Sequence, residues 1–371
     1  MNILIVTSHT GGHFYPAIEV CKKLLPKSKK IVFVTQKGKL FAKLISEHLQ
    51  SNKVKLEFIK APSMPRKNLI SLFSFVYMFL LAFVTSIFIL LKNKPKLVFS
   101  TGGYTAVPII IASKILFPKI PIILHEQNCV LSLTNKLLRI FATKVCIGFD
   151  VLHSKKYVFT GNPLREVFLK ESNKQEILSE LGFDPKKFTL LVFGGSQGAQ
   201  SINTAIINFL KINSTLADKI QIIHITGQLD FHRVFSQYNN LIFKNKVIPF
   251  TEEIYKYYTV ANLIICRAGA MTITELIYFR KPAILIPLPT AAELHQHWNA
   301  NYLKTFGCAE VVYQTTKNWE GKLYSLIITL ITSPKLMRLM EENYTKIPLP
   351  KITIERVIEN IYMLNTNNGR I

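Results

Sequence analysis

The sequence predicts an α/β protein made of two doubly wound, Rossmann-like domains. Three observations predict it. Short apolar runs alternate with helical stretches along the whole chain. A strand, a glycine-rich turn and a helix occur in that order twice: Ile3–Thr7 into Ser8-His9-Thr10-Gly11-Gly12-His13, and Leu190–Phe193 into Gly194-Gly195-Ser196-Gln197-Gly198-Ala199. The length, 371 residues, suits about two domains with ample core.

The first strand series is Ile3–Val6, Ile31–Val34, Leu97–Phe99 and Ile120–Leu124, unbroken apolar runs of the kind a parallel sheet buries on both faces. The second is Leu190–Phe193, Gln221–Ile225, Val247–Phe250, Leu263–Cys266 and Ala283–Pro287, with helices expected over 200–212, 270–279 and 296–306. Thr160-Gly161-Asn162-Pro163 has turn chemistry and marks the join. The expected domains are 1–162 and 163–349, with a helix over 350–364 packing back on the first. In each domain the glycines let the backbone turn tightly and approach a ligand, and the following helix offers free N–H groups to an anion. Two such turns suggest facing carboxyl ends with a cleft between them. Singly, either is also what a tight strand-to-helix connection needs.

Charge narrows the partners. Lys and Arg number 46 against 22 Asp and Glu, a net +24 that draws in polyanions such as nucleic acid, anionic lipid or phosphorylated ligands. Hydrophobic residues at 49% exclude a disordered chain. The four Asp (Asp150, Asp184, Asp218, Asp230) are scattered, so no Asp-x-Asp can hold a catalytic divalent ion, and phosphate chemistry would rest on Arg, Lys and backbone N–H groups. The five Cys lie far apart with no Cys-x-x-Cys, which argues against a disulfide framework and a thiolate zinc site. The start, Met-Asn-Ile-Leu-Ile-Val-Thr, reads as a buried strand rather than an export signal, and the cytoplasm is the expected compartment.

Leu69–Leu91 is 23 residues without a charge, between Arg66-Lys67 and Lys92, Lys94 and Lys96. As a helix it would measure about 35 Å against a hydrocarbon core of about 30 Å. A span would separate the first two strands from the others across a bilayer. The favoured expectation is a helix with one face on the sheet and the other dipping into one leaflet, ahead of a buried core helix or a span.

Several constellations carry candidate chemistry. His13, just past the first glycine pair, can take a proton near neutral pH or can simply hydrogen-bond locally at a helix start. His125-Glu126-Gln127-Asn128 is expected as a polar run after the strand Ile120–Leu124, where a ligand crevice would lie. It is not His-Glu-x-x-His, since position 129 is Cys129. Thr272-Ile273-Thr274-Glu275 reads either as a capping box or as a Glu275 that accepts two hydrogen bonds from a sugar diol. Gln296 and Asn299 share a helical face, and amides suit sugar hydroxyls. Gly194-Gly195-Ser196-Gln197-Gly198 also matches G-x-S-x-G, so the rival expectation is a serine hydrolase with Ser196, Asp230 or Glu275, and His295.

Taken in order, Thr10–His13, Gly102-Gly103-Tyr104, His125–Asn128, Gly161-Asn162-Pro163 with Arg165, Gly194–Ala199, Thr272–Glu275, and His295-Gln296 with Asn299-Ala300 closely resemble the MurG family of bacterial peptidoglycan glycosyltransferases. The resemblance runs from about residue 3 to residue 300. It implies a glycosyltransferase-B fold and an inverting transfer of N-acetylglucosamine (GlcNAc) from UDP-GlcNAc to the undecaprenyl-linked lipid I, forming lipid II. It implies no metal and no cofactor, a peripheral place on the cytoplasmic face of the inner membrane, and anionic lipid rather than nucleic acid as the polyanion. By the same resemblance Ser196 would hold the diphosphate, Arg165 and the backbone at Phe250–Thr251 the uracil, and Glu275 the ribose. Ala270, Met271, Thr272, His295, Gln296 and Asn128 would hold the GlcNAc. Thr10, Gly11 and Gly12 would face phosphates and acceptor, with His13 or Glu126 as general base. Ser8-His9 stands where the family usually has two glycines, and Ala268 replaces a usual Ser.

Overall fold

Ile3, Leu4, Ile5 and Val6 are all fully buried, because the strand they form is covered on both faces. The computed structural model describes residues 1–8, 11–36, 49, 51–60, 69–195 and 197–367. The chain divides into two units, Met1–Arg165 with Leu349–Ile371, and Glu166–Pro348.

The first unit carries β1 (Asn2–Val6), β2 (Lys30–Thr35), β3 (Val54–Phe58), β4 (Val98–Ser100), β5 (Ile122–Glu126), β6 (Lys144–Ile147) and β7 (Tyr157–Phe159), in the sheet order β3-β2-β1-β4-β5-β6-β7. All pairs are parallel; Leu4, for example, lies between Val32 and Val98. Its helices are α1 (Gly11–Leu24), α2 (Leu69–Asn93), α3 (Ala106–Leu116) and α4 (Leu133–Leu138). Alternate strand residues feed two cores: Ile3, Ile5, Phe33 and Phe99 meet Phe14 and Ile18 of α1, while Leu4, Val6, Val32 and Val98 meet Ala82 and Leu90 of α2 and Ile110 of α3.

The second unit carries β8 (Phe188–Phe193), β9 (Ile220–Ile225), β10 (Asn245–Ile248), β11 (Leu263–Cys266), β12 (Ala283–Leu285) and β13 (Ala309–Val311), ordered β10-β9-β8-β11-β12-β13 and again parallel. Its helices are α5 (Lys174–Glu180), α6 (Gln200–Ile212), α7 (Phe231–Tyr238), α8 (Ile254–Val260), α9 (Ala270–Phe279), α10 (His295–Thr305), α11 (Trp319–Thr332) and α12 (Pro334–Asn343). The last helix, α13 (Ile354–Asn367), belongs to the first unit. Ile354, Val357, Ile358 and Ile361 join the α1 core, and Lys27 Nζ reaches Glu359 Oε1 at 2.8 Å.

The expected helices over 200–212 and 270–279 are α6 and α9 as they stand. Four strands carry no clear apolar signal. β3 (VKLEF) is a half-buried edge strand with charges at alternate positions, β7 and β13 are three residues long, and β6 begins on a lysine. β5 ends two residues later than expected, so His125 and Glu126 are its last residues, paired with Cys146 and Ile147 and fully buried, rather than the start of a polar loop.

In each sheet the strand order reverses once, between β1 and β4 and between β8 and β11. Connections leave a doubly wound sheet in opposite directions at such a point and open a crevice at the carboxyl ends of the two strands. Both glycine turns lie there.

Candidate active site

In the first unit the β1 exit meets the β4 exit. A Cβ on Gly103 would stand 2.4 Å from Ser8 Cβ, so the Ser8 side chain occupies the space that Gly103 leaves open. Gly102 and Gly103 have φ of +91° and +85°, which glycine alone adopts readily. Gly11 and Gly12 begin α1, and a Cβ on Gly12 would meet nothing within 4 Å. Thr10 lies outside the described residues.

His13 Nδ1 is 2.6 Å from Thr101 O. A carbonyl can only accept, so Nδ1 carries the hydrogen and Nε2 is the proton-accepting nitrogen of the neutral ring. Thr101 O also accepts from Gln127 Nε2 at 2.7 Å. Burial, and next the charge of His13, push the His125 pKa down to about 3, so this second imidazole stays neutral beside the first.

Glu126, the other candidate base, has both carboxylate oxygens engaged. Its carboxylate is fully buried and accepts from Asn128 N (3.1 Å) and Nδ2 (3.0 Å) on Oε1, and from Ser132 N (2.8 Å) and Asn135 Nδ2 (2.8 Å) on Oε2. These four bonds occupy both oxygens and tie the carboxylate to the loop 127–132. Asn128 thereby takes its orientation from Glu126. Arg165 falls in the first unit, its guanidinium carbon 5.1 Å from the centre of the Tyr15 ring on α1.

In the second unit the β8 exit forms the other glycine turn. Gly198 has φ +76°, and a Cβ there would lie 2.3 Å from Thr226 O; Gly227, with φ +85°, packs equally closely on Gly198. The turn is therefore seated backbone-to-backbone on the β9 exit. Behind it, Asn203 Nδ2 donates to Thr226 O (2.9 Å) and Asp230 Oδ2 (2.7 Å), and Arg233 clasps Asp230 at 2.6 and 2.7 Å. A Cβ on Gly195 (φ +90°) would meet nothing within 4 Å, so the outer side of the turn has room for a ligand. Ser196 lies outside the described residues.

α9 starts at Ala270, after Gly269, with no side-chain cap. Thr272 is thus the third helical residue and not the N-cap, which removes the capping-box reading of Thr272–Glu275. Ala270, Met271 and Thr272 occupy the first turn, whose N–H groups have no partner inside the helix. Glu275 is buried one turn on and its Oε2 accepts from Tyr258 OH at 2.9 Å. The Tyr258 ring is stacked on Phe279 at 5.0 Å, which fixes the donor. Thr251, after β10, accepts from Glu253 N at 3.0 Å.

Before α10 two non-glycine residues, Glu293 (φ +53°) and Leu294 (φ +55°), take left-handed backbone, a local strain that turns the chain sharply into the helix. His295 Nδ1 lies 2.7 Å from Ala292 O, and Gln296 Oε1 accepts from Leu288 N at 3.0 Å. Asn299 is fully buried and ties α10 to Ala268 O at 3.1 Å.

Among the described residues, the partners a hydrolase triad would need are engaged elsewhere. The His295 nitrogen that a carboxylate would orient donates to a backbone carbonyl, Asp230 is held by Arg233 and Asn203, and Glu275 by Tyr258.

One residue absent from the sequence-based expectations joins the second crevice. Arg267, directly after β11, donates from one Nη to Ile286 O (3.0 Å), Pro287 O (3.2 Å) and Gln314 Oε1 (2.6 Å), and from the other to Ser201 Oγ on α6 (3.3 Å). No local pattern marks it, because its partners come from three distant parts of the chain.

The first unit also presents a large apolar surface. Along α2, Ala82, Ser86, Ile89, Leu90 and Asn93 are buried at helical spacing, whereas Phe73 (75% exposed), Tyr77 (62%), Leu80 and Phe88 face outward. Ile115 of α3 and Leu137 of α4 are also exposed, and Lys92, Lys136 and Arg139 are basic neighbours in sequence.

Comparison with known proteins places both units. Residues 3–147 match the Glycosyltransferase family 28 N-terminal domain and residues 189–361 its C-terminal domain. A UDP-N-acetylglucosamine–N-acetylmuramyl-(pentapeptide) pyrophosphoryl-undecaprenol N-acetylglucosamine transferase of Elusimicrobium minutum is 32% identical over 350 residues, 94% of each chain. The protein of the same name from Thermodesulfovibrio yellowstonii is 35% identical over 348 residues, 92% of this chain and 93% of the relative. The crystal structure of Acinetobacter baumannii MurG superposes with a TM-score of 0.74 at 24% identity, covering 98% of this chain and 99% of that one, a likeness of fold.

Proposed function

The chain belongs to glycosyltransferase family 28, and from that premise we infer that it is the N-acetylglucosaminyltransferase that converts lipid I to lipid II in peptidoglycan synthesis. It transfers GlcNAc from UDP-GlcNAc to the lipid-linked muramyl sugar. One observation carries this: relatives of that name are 32% and 35% identical to this chain and match more than nine-tenths of it.

The reaction is a single inverting displacement. The acceptor 4-hydroxyl attacks the anomeric carbon on the face opposite UDP. The new C–O bond forms as the bond to the β-phosphate oxygen breaks, its electron pair leaves with UDP, and the hydroxyl proton passes to a base. His13 is the base, its Nδ1–H anchored on Thr101 O so that Nε2 receives the proton. Glu126 and Gln127 position the surrounding loop. On the second unit, Ser196 and the start of α6 hold the diphosphate, the backbone at Thr251 the uracil, and Glu275 the ribose; Ala270, Met271, Thr272, His295 and Gln296 hold the sugar hydroxyls. Arg165 and Asn128 are the further donor contacts that the family resemblance implies, and Gly11, Gly12 and Thr10 face the acceptor phosphates.

The test is UDP release from UDP-GlcNAc with a lipid I analogue, run with EDTA. Release that requires the acceptor and survives EDTA is expected; release without acceptor, or none, refutes the assignment. Glu275→Ala leaves the ribose diol without its acceptor and Tyr258 OH without its partner, and should weaken UDP-GlcNAc binding by about 1–3 kcal/mol. Unchanged donor affinity in calorimetry would remove Glu275 from the site.

For localisation, the protein binds the cytoplasmic face of the inner membrane peripherally. One face of the second half of α2, Ala82, Ile89 and Leu90, is part of the first unit's core and cannot enter a bilayer without dismantling it. The outer half, 69–81, measures about 20 Å as a helix, short of the roughly 30 Å hydrocarbon core. That half enters one leaflet, and the neighbouring Lys and Arg meet anionic headgroups. Alkaline carbonate should strip the protein from vesicles, and Phe73→Gln with Tyr77→Gln should cut vesicle cosedimentation at least about tenfold while leaving donor binding intact. Carbonate-resistant protein, or wild-type cosedimentation of the double variant, would contradict this attachment.

A further inference from the structure

Arg267 is a partly buried cation with no carboxylate beside it among the described residues. Its four hydrogen bonds go to two carbonyls, an amide oxygen and a hydroxyl, all neutral. Burial alone lowers its pKa, to about 10, and no anionic group among the described residues offsets that effect. An uncompensated charge in such a place is costly, and proteins ordinarily pair it. Arg233 of the same unit shows the ordinary arrangement, clasping Asp230 with both arms of its fork. Lys281 shows the other resolution. Partly buried ahead of β12, at the amino-terminal end of that strand, it donates to Thr259 O and Ala261 O, and burial pushes its pKa down to about 8, so it sheds its proton more readily than a free lysine. Arginine has no such recourse; at neutral pH Arg267 remains charged.

Its position supplies the missing anion. Arg267 follows β11, one of the two strands at the second unit's switch point, and its Nη2 reaches Ser201 in the first turn of α6, the helix opened by the Gly194–Gly198 turn. α6 and α9 both begin here without side-chain caps, so their positive dipole ends and the guanidinium converge on one crevice. The Ile286, Pro287 and Gln314 oxygens hold the guanidinium in a fixed orientation before any ligand arrives, which is what electrostatic stabilisation of a developing charge requires.

We propose that Arg267 is a positioning residue of the transfer reaction: it orients the first turn of α6 through Ser201 and supplies the fixed positive charge against which the departing nucleoside diphosphate is stabilised. The proposal rests on the glycosyltransferase reading. As the C–O bond to the β-phosphate breaks and its electron pair moves to the phosphate oxygen, the diphosphate gains negative charge, and Arg267 favours that state over the neutral sugar and base. Its contribution therefore falls on the diphosphate alone.

The experiment compares UDP with uridine, by calorimetry on the full chain. Arg267→Met should reduce the UDP-over-uridine preference by about 10²-fold and leave uridine affinity within about twofold, with kcat reduced by a similar factor. A variant that melts cooperatively and keeps the wild-type preference overturns the proposal, as does an equal loss for both ligands, which marks a merely structural residue. Arg267→Lys keeps the charge but not the fork. It should lose preference about three- to tenfold, and it decides the matter if the Met variant fails to fold, an unchanged preference again being fatal. A wild-type chain with no preference for UDP would instead defeat the glycosyltransferase reading itself.

Discussion

Replacing His13 by alanine is expected to lower kcat about 10³-fold while UDP-GlcNAc affinity stays within about twofold. The imidazole is the group at the first crevice whose geometry prepares it to accept a proton. Thr101 O fixes the hydrogen on Nδ1, Gln127 Nε2 braces the same carbonyl, and Nε2 is left as the basic nitrogen. His125, held neutral near pH 7 by burial, adds no positive charge beside the imidazolium as it forms. The wild-type rate should fall toward low pH, where a protonated ring can no longer accept the acceptor's proton, and the residual rate of His13→Ala should lack that limb. Steady-state kinetics with a soluble lipid I analogue decides this. A variant within tenfold of wild type, with its acid limb intact, would move the base elsewhere.

Gly198→Ala is expected to destabilise the second unit by about 3 kcal/mol or more and to abolish measurable UDP binding. Two costs combine. Left-handed backbone with a Cβ costs roughly 1–2 kcal/mol. In addition, the new methyl would stand 2.3 Å from Thr226 O and 2.9 Å from Gly227 Cα, backbone atoms that cannot swing aside. Asn203 holds Thr226 O on the other side, so relief would have to break that bond too. Gly195→Ala is the control. It carries the same kind of positive φ but opens on empty space, so its cost should be about the left-handed penalty alone. Chemical denaturation of the two variants separates the terms; equal stability losses would show that the close contact with Thr226 is relieved at no cost.

Much of this was legible in the residues. Parallel strands buried on both faces leave unbroken apolar runs, so β1, β2, β8, β9 and β11 stand out. Glycine turns stand out because glycine alone adopts the positive φ at Gly195 and Gly198 without a steric penalty. Edge and very short strands do not: β3 hides behind its own Lys55 and Glu57, and β13 has three residues. The carboxyl end of β5 was also hidden, because polar residues that would ordinarily mark a loop are satisfied in the interior by partners such as Asn135 and Ser132, which lie on α4 and the turn before it.

From the sequence alone followed the two-sheet α/β architecture, the paired strand–turn–helix units and the family, since each depends on local spacing and backbone preference. The tertiary structure decided what each side chain does. It tied the Glu126 carboxylate to the loop 127–132, took Thr272 out of a cap, and set Arg267 into the second crevice with no countercharge among the described residues. Hydrogen-bond saturation, cap geometry and charge compensation depend on groups brought together from distant positions, and no window along the chain contains them.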